Sequence, residues 1–300
     1  MKKVWIFLST YNGEKYIEAQ LESLFAQKDV DISILVRDDG STDNTINILK
    51  RYEDSGKIKL IKGLNQGYKK SFISLVKENV YSDYYAFCDQ DDVWLPEKLS
   101  RAISMIEKSE VDNRPILYAS SLQRVDKNLN FLSMQNFKNL KLTLEAEFTR
   151  HRLAGCSFVF NNKLRNLLKE SQNIDCSHDK LASILCIACG GEIIFDKSSY
   201  ILFRRHGKNT SVDSLNFLNK AKKELRHYLL RQNNASILAK DILAQYYNQI
   251  TSQNRTFLNL LAGYKENYLK TFYLALNQKI DCGFWYFNLF IRFMILLRLF

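Results

Sequence analysis

Neither an internal repeat nor a low-complexity tract interrupts this sequence, and it carries no GxGxxG or Walker pattern to cradle a phosphate. The pair Gly190 and Gly191 is therefore read as a helix-to-strand turn. Long hydrophobic runs are missing as well. The first apolar run, VWIFLS at residues 4–9, is too short for a secretory h-region or a membrane span, and no signal peptide is expected after Met1. The six cysteines are scattered. Cys186 and Cys189 form one CxxC inside ILCIACGG without the second pair a zinc site needs, so they are expected to be buried thiols in a reducing cytoplasm. Acidic residues are scarce in one region only. Residues 201–300 hold 15 Lys and Arg against 5 Asp and Glu, whereas residues 1–200 are balanced at 28 against 27, so the net charge of +11 belongs to the last third. Such a segment can face nucleic acid or an anionic leaflet, and what accompanies the charge decides between them.

What is present suffices for a folded protein. With 300 residues, 46% apolar and 25% charged, the chain can bury a full core as one large domain or a domain with an appendage. Along the first 120 residues, short apolar runs at 4–9, 31–38, 57–63, 84–88 and 116–120 read as buried strands. Helical patterns at 14–27, 43–54, 68–79 and 95–108 separate them, with Pro96 expected in the first turn of the last. Strict alternation implies an α/β fold with a parallel, doubly wound sheet, whose ligands bind beyond the carboxyl ends of the strands.

The polar clusters fall there. STYNGE follows the first strand, DDGSTDNT the second and DQDD the fourth. Asp43 is expected to serve as a helix N-cap or first-turn carboxylate and Gly40 as a turn residue with unusual φ. Asp92 can be accounted for by capping near residue 95. Asp38 and Asp39 are harder to explain, because no turn needs two adjacent carboxylates at a strand end. Asp89 and Asp91, two apart on a segment expected to be extended, should point to one side, where a hard divalent cation relieves their repulsion and bridges to a diphosphate.

STYNGEKYI, VRDDGSTDNT, NQGYKKSF and FCDQDDVWLPEKL, in that order, resemble the successive motifs of the inverting GT-A glycosyltransferases of family 2, with DQD as the DxD metal motif. GCSFVF, SHDKLA and FRRHGKNTS are similar, more narrowly, to the bacterial rhamnosyltransferase-like branch that builds capsule, O-antigen or cell-wall polysaccharide. The resemblance spans about residues 3–212 and implies a GT-A, Rossmann-like, mostly parallel sheet flanked by helices, with a C-terminal helical extension. It implies that Thr10, Tyr11, Asp38 and Asp39 contact the nucleotide, that Asp91 binds Mn²⁺ or Mg²⁺ with Asp89 on ribose or metal, and that His206 completes metal or diphosphate binding. Asp179, the Asp of the HD pair, matches the general base. One departure stands out: HDKLA lacks the aromatic that usually follows HD, which leaves the acceptor pocket undefined.

The chemistry follows from those residue types. The resemblance implies a nucleoside diphosphate sugar donor, dTDP-rhamnose or a UDP-hexose, whose leaving diphosphate the cation would neutralise, with Arg204 and Arg205 adding charge-assisted contacts. A carboxylate takes the acceptor proton, and a single displacement inverts the anomeric centre without a covalent nucleophile. A His beside an Asp at a helix start is ordinarily only capping, so Asp179 owes its role to the resemblance, and His151 and His227 receive none.

Beyond residue 212 the pattern is helical at about 214–232, 234–250, 254–277 and 283–299. The first of these sets Leu215, Leu218, Leu225, Leu229 and Leu230 opposite Lys and Arg. Arg292 interrupts the last apolar run, which is also too short to span, so an in-plane anchor is expected, with Asn288 and Arg292 on one face. The alternative is a core helix or a homodimer contact. The expected division is 1–212 for donor binding and catalysis and 213–300 for a basic membrane-surface extension. That would place the enzyme in the cytoplasm on the inner face of the membrane, beside a polyprenyl-linked glycan acceptor. A nucleic-acid partner is not expected, since a basic surface gives no reason for paired carboxylates at strand ends. The rival reading is a catalytically silent nucleotide-sugar-binding or scaffold module.

Overall fold

A computed structural model of the chain describes residues 1–109, 113–206 and 234–300. The expected helix at 214–232, His227 and the end of the FRRHGKNTS motif lie outside the described residues. Two compact units form: Met1–Phe137 with Leu153–Ser171 and Cys176–His206, and Lys138–Arg152 with Gln172–Asp175 and the described part of Gly207–Phe300.

The first unit is α/β. Its strands are β1 (Lys2–Thr10), β2 (Val30–Asp38), β3 (Lys59–Lys62), β4 (Tyr84–Asp89), β5 (Val93–Trp94), β6 (Ile116–Val125), β7 (Phe131–Met134), β8 (Val159–Asn161) and β9 (Glu192–Arg204). They form one sheet in the order β3-β2-β1-β4-β8-β6-β9-β5, with β7 added on β6. The run β3-β2-β1-β4 is parallel, and its register sets Thr10 opposite Asp38 and Ser9 opposite Asp89. That register brings three polar loops to one edge. The β8 strand lies antiparallel between β4 and β6, and β5 runs antiparallel to β9, so the sheet is mostly rather than wholly parallel.

Helices α1 (Ile17–Phe25), α2 (Thr45–Asp54), α3 (Tyr68–Lys77), α4 (Lys98–Ser109), α6 (Asn162–Glu170) and α7 (His178–Ala188) belong to this unit, and α5 (Leu144–Arg150) to the other. α1 buries Ile17, Leu21 and Leu24, spaced so that one stripe packs into the core containing Ile6, Leu8 and Val36. A fully buried side chain of this kind contributes roughly 1.5–3 kcal/mol. Pro96 is not in the first turn of α4. The helix begins at Lys98, after a turn closed by the Lys98 N–H on the Leu95 carbonyl, and Pro96 lends its carbonyl to Lys28 N–H. Cys186 is buried, and burial raises the thiols of both Cys186 and Cys189, as inert thiols require.

The second unit is helical, with α8 (Ala235–Tyr246), α9 (Ser252–Gly263), α10 (Tyr268–Leu276) and α11 (Trp285–Leu296) besides α5. The expected helix at 254–277 is two helices, because Asn267 restarts the chain: its side chain accepts the Lys270 N–H and caps α10. His151 is held by Glu147, with Nδ1 and Oε2 2.5 Å apart across one turn of α5. Among the described residues, no helix is long and apolar enough to cross a membrane. Asn288 and Arg292 do share a face of α11, and it is turned inward. Asn288 donates to Asp281 at 2.8 Å, and the Arg292 guanidinium donates to the carbonyls of Ala275 and Asn277.

Candidate functional site

Thr10 ends β1, and its hydroxyl donates to Asp38 Oδ2 at 2.9 Å. Asp38 also accepts from Gly40 N, Ser41 N and the Ser41 hydroxyl, so both its oxygens are used in folding the loop over Gly40, whose φ of +82° suits only glycine. Asp39 pairs with Arg37 at 2.8 Å and accepts the N–H groups of Gln66 and Gly67, tying the third loop to the second. The expectation that no turn needs these two carboxylates is thus corrected: one builds the turn and the other staples its neighbour. Asp43 accepts from Thr45 N and hydroxyl and from Glu14 N; burial works against its charge, yet these bonds hold its carboxyl below the usual range. Tyr11 is exposed, and its backbone is clamped by Gln90, which accepts its N–H and donates to its carbonyl.

The DQDD stretch is a turn, not an extended segment, so the i, i+2 argument fails. Asp89 closes β4, while Asp91 turns to His206, with Oδ2 and Nε2 2.7 Å apart. Asp92 is buried and does not cap α4, which starts six residues later; it accepts the Arg204 N–H at 3.1 Å. The ligand atoms of Asp89, Asp92 and Cys156 lie within 4.8 Å of one another. Arg204 spends its guanidinium on the carbonyls of Asp91 and Lys127, which pins the turn to β9. Arg205 donates its N–H to Val125 and lays its guanidinium 5.7 Å from the Phe203 ring centroid.

Asp179 sits in the first turn of α7. Burial, then the negative charges of Asp91 and Asp179, push the Asp89 carboxyl up to about 7. Carboxylates 88 and 90 positions apart along the chain are therefore electrostatic neighbours. Beside them His178 is a packed core residue, stacked on Phe72 at 3.9 Å and edge-on to Phe87. A Cβ at Gly155 would come within 2.6 Å of His178 Nε2 and 3.2 Å of Asp179 Cβ, so the start of α7 needs a glycine there.

Residues 5–166 match the family described as Glycosyl transferase family 2. The chain belongs to that family. A dTDP-rhamnosyl transferase, RfbG of Shigella flexneri, is 32% identical over 72% of this chain and 77% of its own length. An uncharacterized glycosyltransferase of Rickettsia prowazekii is 26% identical over 94% of this chain and 87% of its own. The crystal structure of S. aureus TarS 1-349 in complex with UDP-GlcNAc superposes with a TM-score of 0.60 at 16% identity, covering 98% of this chain and 81% of that one. The chain is thus a glycosyltransferase with the GT-A fold.

Family 2 enzymes commonly use a divalent metal, and the donor set of this glycosyltransferase fits one. Asp92 Oδ2 is buried without a hydrogen-bond partner among the described residues. Its carboxyl is raised by burial and by the charges of Asp91 and Asp89, a conflict that a cation resolves. Burial and the charges of Asp92 and Asp89 hold the Cys156 thiol protonated, so the oxygens, not the sulfur, suit a hard ion. Three contributors carry no sequence signal of their own. Lys98 is fully buried with Nζ 3.5 Å from the Trp94 ring centroid, and burial pulls it down to about 7, with Cys88, Cys156 and Asp92 around it opposing the shift. Tyr16 is a plate, stacked 4.9 Å from His206 with Arg204 4.8 Å from its ring. Tyr68, half exposed, meets His178 edge-on, and burial and Asp179 raise its hydroxyl. Only the fold brings these three to the cluster.

Proposed function

We propose that this family 2 enzyme moves a sugar, rhamnose or another hexose, from a nucleoside diphosphate donor to a hydroxyl of a lipid-linked glycan, inverting the anomeric centre. The observation that carries the reading is that Asp179, in the first turn of α7 and close against Gly155, lies near enough to Asp89 for its charge to help raise that carboxyl. Asp179 takes the proton of the acceptor hydroxyl as its oxygen bonds to the anomeric carbon, and the bond from that carbon to the diphosphate oxygen breaks on the opposite face. Asp89 and Asp91 with His206, beside the buried Asp92, would hold a Mn²⁺ or Mg²⁺ ion, which would supply Lewis-acid neutralisation of the departing diphosphate. Thr10, Asp38 and Asp39 shape the nucleotide side of the cleft, and exposed Tyr11 offers its ring to the base. Arg205 adds positive charge for the diphosphate, and Arg204 acts by fixing the Asp91 turn.

The donor named for RfbG makes dTDP-rhamnose the first to try, and the TarS complex makes UDP-linked hexoses the second. We further propose that residues 1–212 bind donor and catalyse. Residues 213–300 would then hold the enzyme at the cytoplasmic face of the membrane beside a polyprenyl-linked acceptor for capsule, O-antigen or cell-wall polysaccharide. A panel of dTDP-rhamnose, UDP-glucose, UDP-galactose and their N-acetylated forms with Mn²⁺ or Mg²⁺, read by nucleoside diphosphate release with and without polyprenyl-linked acceptor, tests this. Asp179→Asn is expected to remove transfer and keep donor binding. Transfer at the wild-type rate in that variant refutes the base, and donor binding without transfer in the wild type supports a silent binding module.

A further inference from the structure

The second unit contains a hairpin whose apolar side is exposed among the described residues. Helix α10 exposes Leu269, Phe272 and Leu276 at 73%, 61% and 70%, and α11 exposes Trp285, Leu289 and Phe293 at 78%, 63% and 57%. Each trio repeats at three or four residues, so it forms a stripe along one face of its helix. The opposite faces supply the hairpin's own core through Leu274 and Ala275 of α10 and Ile291, Met294 and Ile295 of α11. Single exposed hydrophobes are ordinary on a protein surface, but six along two helices paired in a hairpin are not.

We infer that this face lies in the interface of an anionic bilayer, with both helices in the membrane plane. Charge is the first argument. Neither helix contains an acidic residue, Lys270 is their exposed cation, and the described residues 234–300 around them hold 7 Lys and Arg against 3 Asp and Glu. The second is the fate of Arg292, the charge within α11. Its guanidinium donates to the carbonyls of Ala275, Asn277 and Ile280 at the end of α10, so the stripe presents no charge to hydrocarbon and the last carbonyls of α10 are not left open. The third is the placing of amphipathic rings, with Tyr268 opening α10 and Trp285 and Tyr286 opening α11, where a headgroup layer accommodates one apolar and one polar edge. Helices of nine and twelve residues extend only about 14–18 Å, which suits lying in the plane and excludes crossing. A surface for a second copy would need none of the basic surplus. This inference rests on the membrane placement proposed above and identifies the surface responsible. Its readout is lipid binding without sugar transfer, so either reading can fail alone.

The test uses the full chain with phosphatidylcholine vesicles, with and without phosphatidylglycerol. Sedimentation is expected to show binding that rises with the anionic lipid. The combined Leu269→Ser, Leu289→Ser and Phe293→Ser variant, which alters exposed positions only, is expected to lose affinity about tenfold or more. Bromine-labelled acyl chains are expected to quench the tryptophan fluorescence of the wild type, and Trp285→Phe to remove that quenching, since the other two tryptophans, half-buried Trp5 and buried Trp94, belong to the other unit. Equal vesicle binding by wild type and triple variant overturns the inference. Quenching that survives Trp285→Phe overturns it too, and needs only a variant changed at one exposed residue. A wild-type dimer in light scattering that the triple variant converts to monomer, without vesicle binding by either, assigns the face to a second copy and equally overturns it.

Discussion

The two units break the usual partition of residues in opposite senses. The first buries a carboxylate without a countercharge to match: Asp92 is fully buried beside Asp89 and Asp91, whose charges add to the cost of its burial. The second exposes hydrophobes along α10 and α11. Each departure carries a cost that folding alone would not select, desolvation of charge in one and hydration of apolar area in the other. Where a chain tolerates such a cost, something outside it relieves the conflict. For the carboxylates we propose a cation with its diphosphate, for the hairpin a lipid surface.

The sharpest way to break that comparison is to disable one unit and read the other. Asp91→Ala is expected to lower sugar transfer about 10²- to 10³-fold and to abolish the response to added Mn²⁺, matching wild type treated with chelator, while vesicle sedimentation stays as it was. Turnover that survives both treatments would leave the acidic cluster without a cation to hold. Next in size is Gly155→Ala. The new Cβ needs the space of His178 Nε2 and Asp179 Cβ, so α7 must shift by a fraction of an ångström or more. Displacement of a catalytic group on that scale costs about 10- to 100-fold in turnover, with overpacking lowering stability by about 1–3 kcal/mol. Donor affinity, measured by titration calorimetry, is expected to hold nearly constant; a proportional fall in binding and turnover would mean that Asp179 is not what moved.

How much of this was legible beforehand depends on the range of the interaction. The parallel run β3-β2-β1-β4 follows from apolar stretches with helical patterns between them, and its register then makes the coincidence of STYNGE, DDGSTDNT and DQDD at one edge inevitable. Asp92 was misread as a cap because its partner, the Arg204 N–H, is 112 residues away. Lys98 carries no local mark, and nothing near it in sequence announces that Trp94 and Cys156 lie against it. The same holds for Arg292: its interruption of the apolar run was visible, but the carbonyls that receive it were not. The break at Asn267 was legible in principle, since a capping residue stands where the helical pattern restarts.

Tyr16→Ala sharpens the comparison within the first unit. The ring lies against His206 on one contact and Arg204 on another, so its loss frees the imidazole that faces Asp91. Aromatic and cation–π contacts of this kind are worth about 0.5–1.5 kcal/mol, which sets an expected rise of about 2- to 10-fold in donor KM with kcat little changed. Tyr16→Phe keeps the plate and should keep the KM. A variant that lowers kcat alone would place Tyr16 nearer the reacting atoms than stacking requires.

The smallest expected effects compare one carboxylate clasp in each unit. Asp196 pairs with Arg101 at 2.8 Å and accepts the Ser198 N–H; burial opposes its charge, but these bonds hold its carboxyl below the usual range. Asp281 receives Asn288 and the Gly283 N–H beside Lys141, which lower it likewise and fasten the start of α11. A carboxyl depressed in the folded state binds its proton more tightly once unfolded, so each clasp stabilises above about pH 4 and is lost as pH falls through the folded-state value. Asp196 is 6% exposed and Asp281 39%, so solvent screens the second far more. Thermal melts at neutral pH should therefore show a larger loss for Asp196→Asn than for Asp281→Asn, and both gaps to wild type should close in acid. If Asp281→Asn alone also weakens vesicle binding at neutral pH, the clasp matters to the hairpin by presenting its apolar face rather than by stabilising the fold.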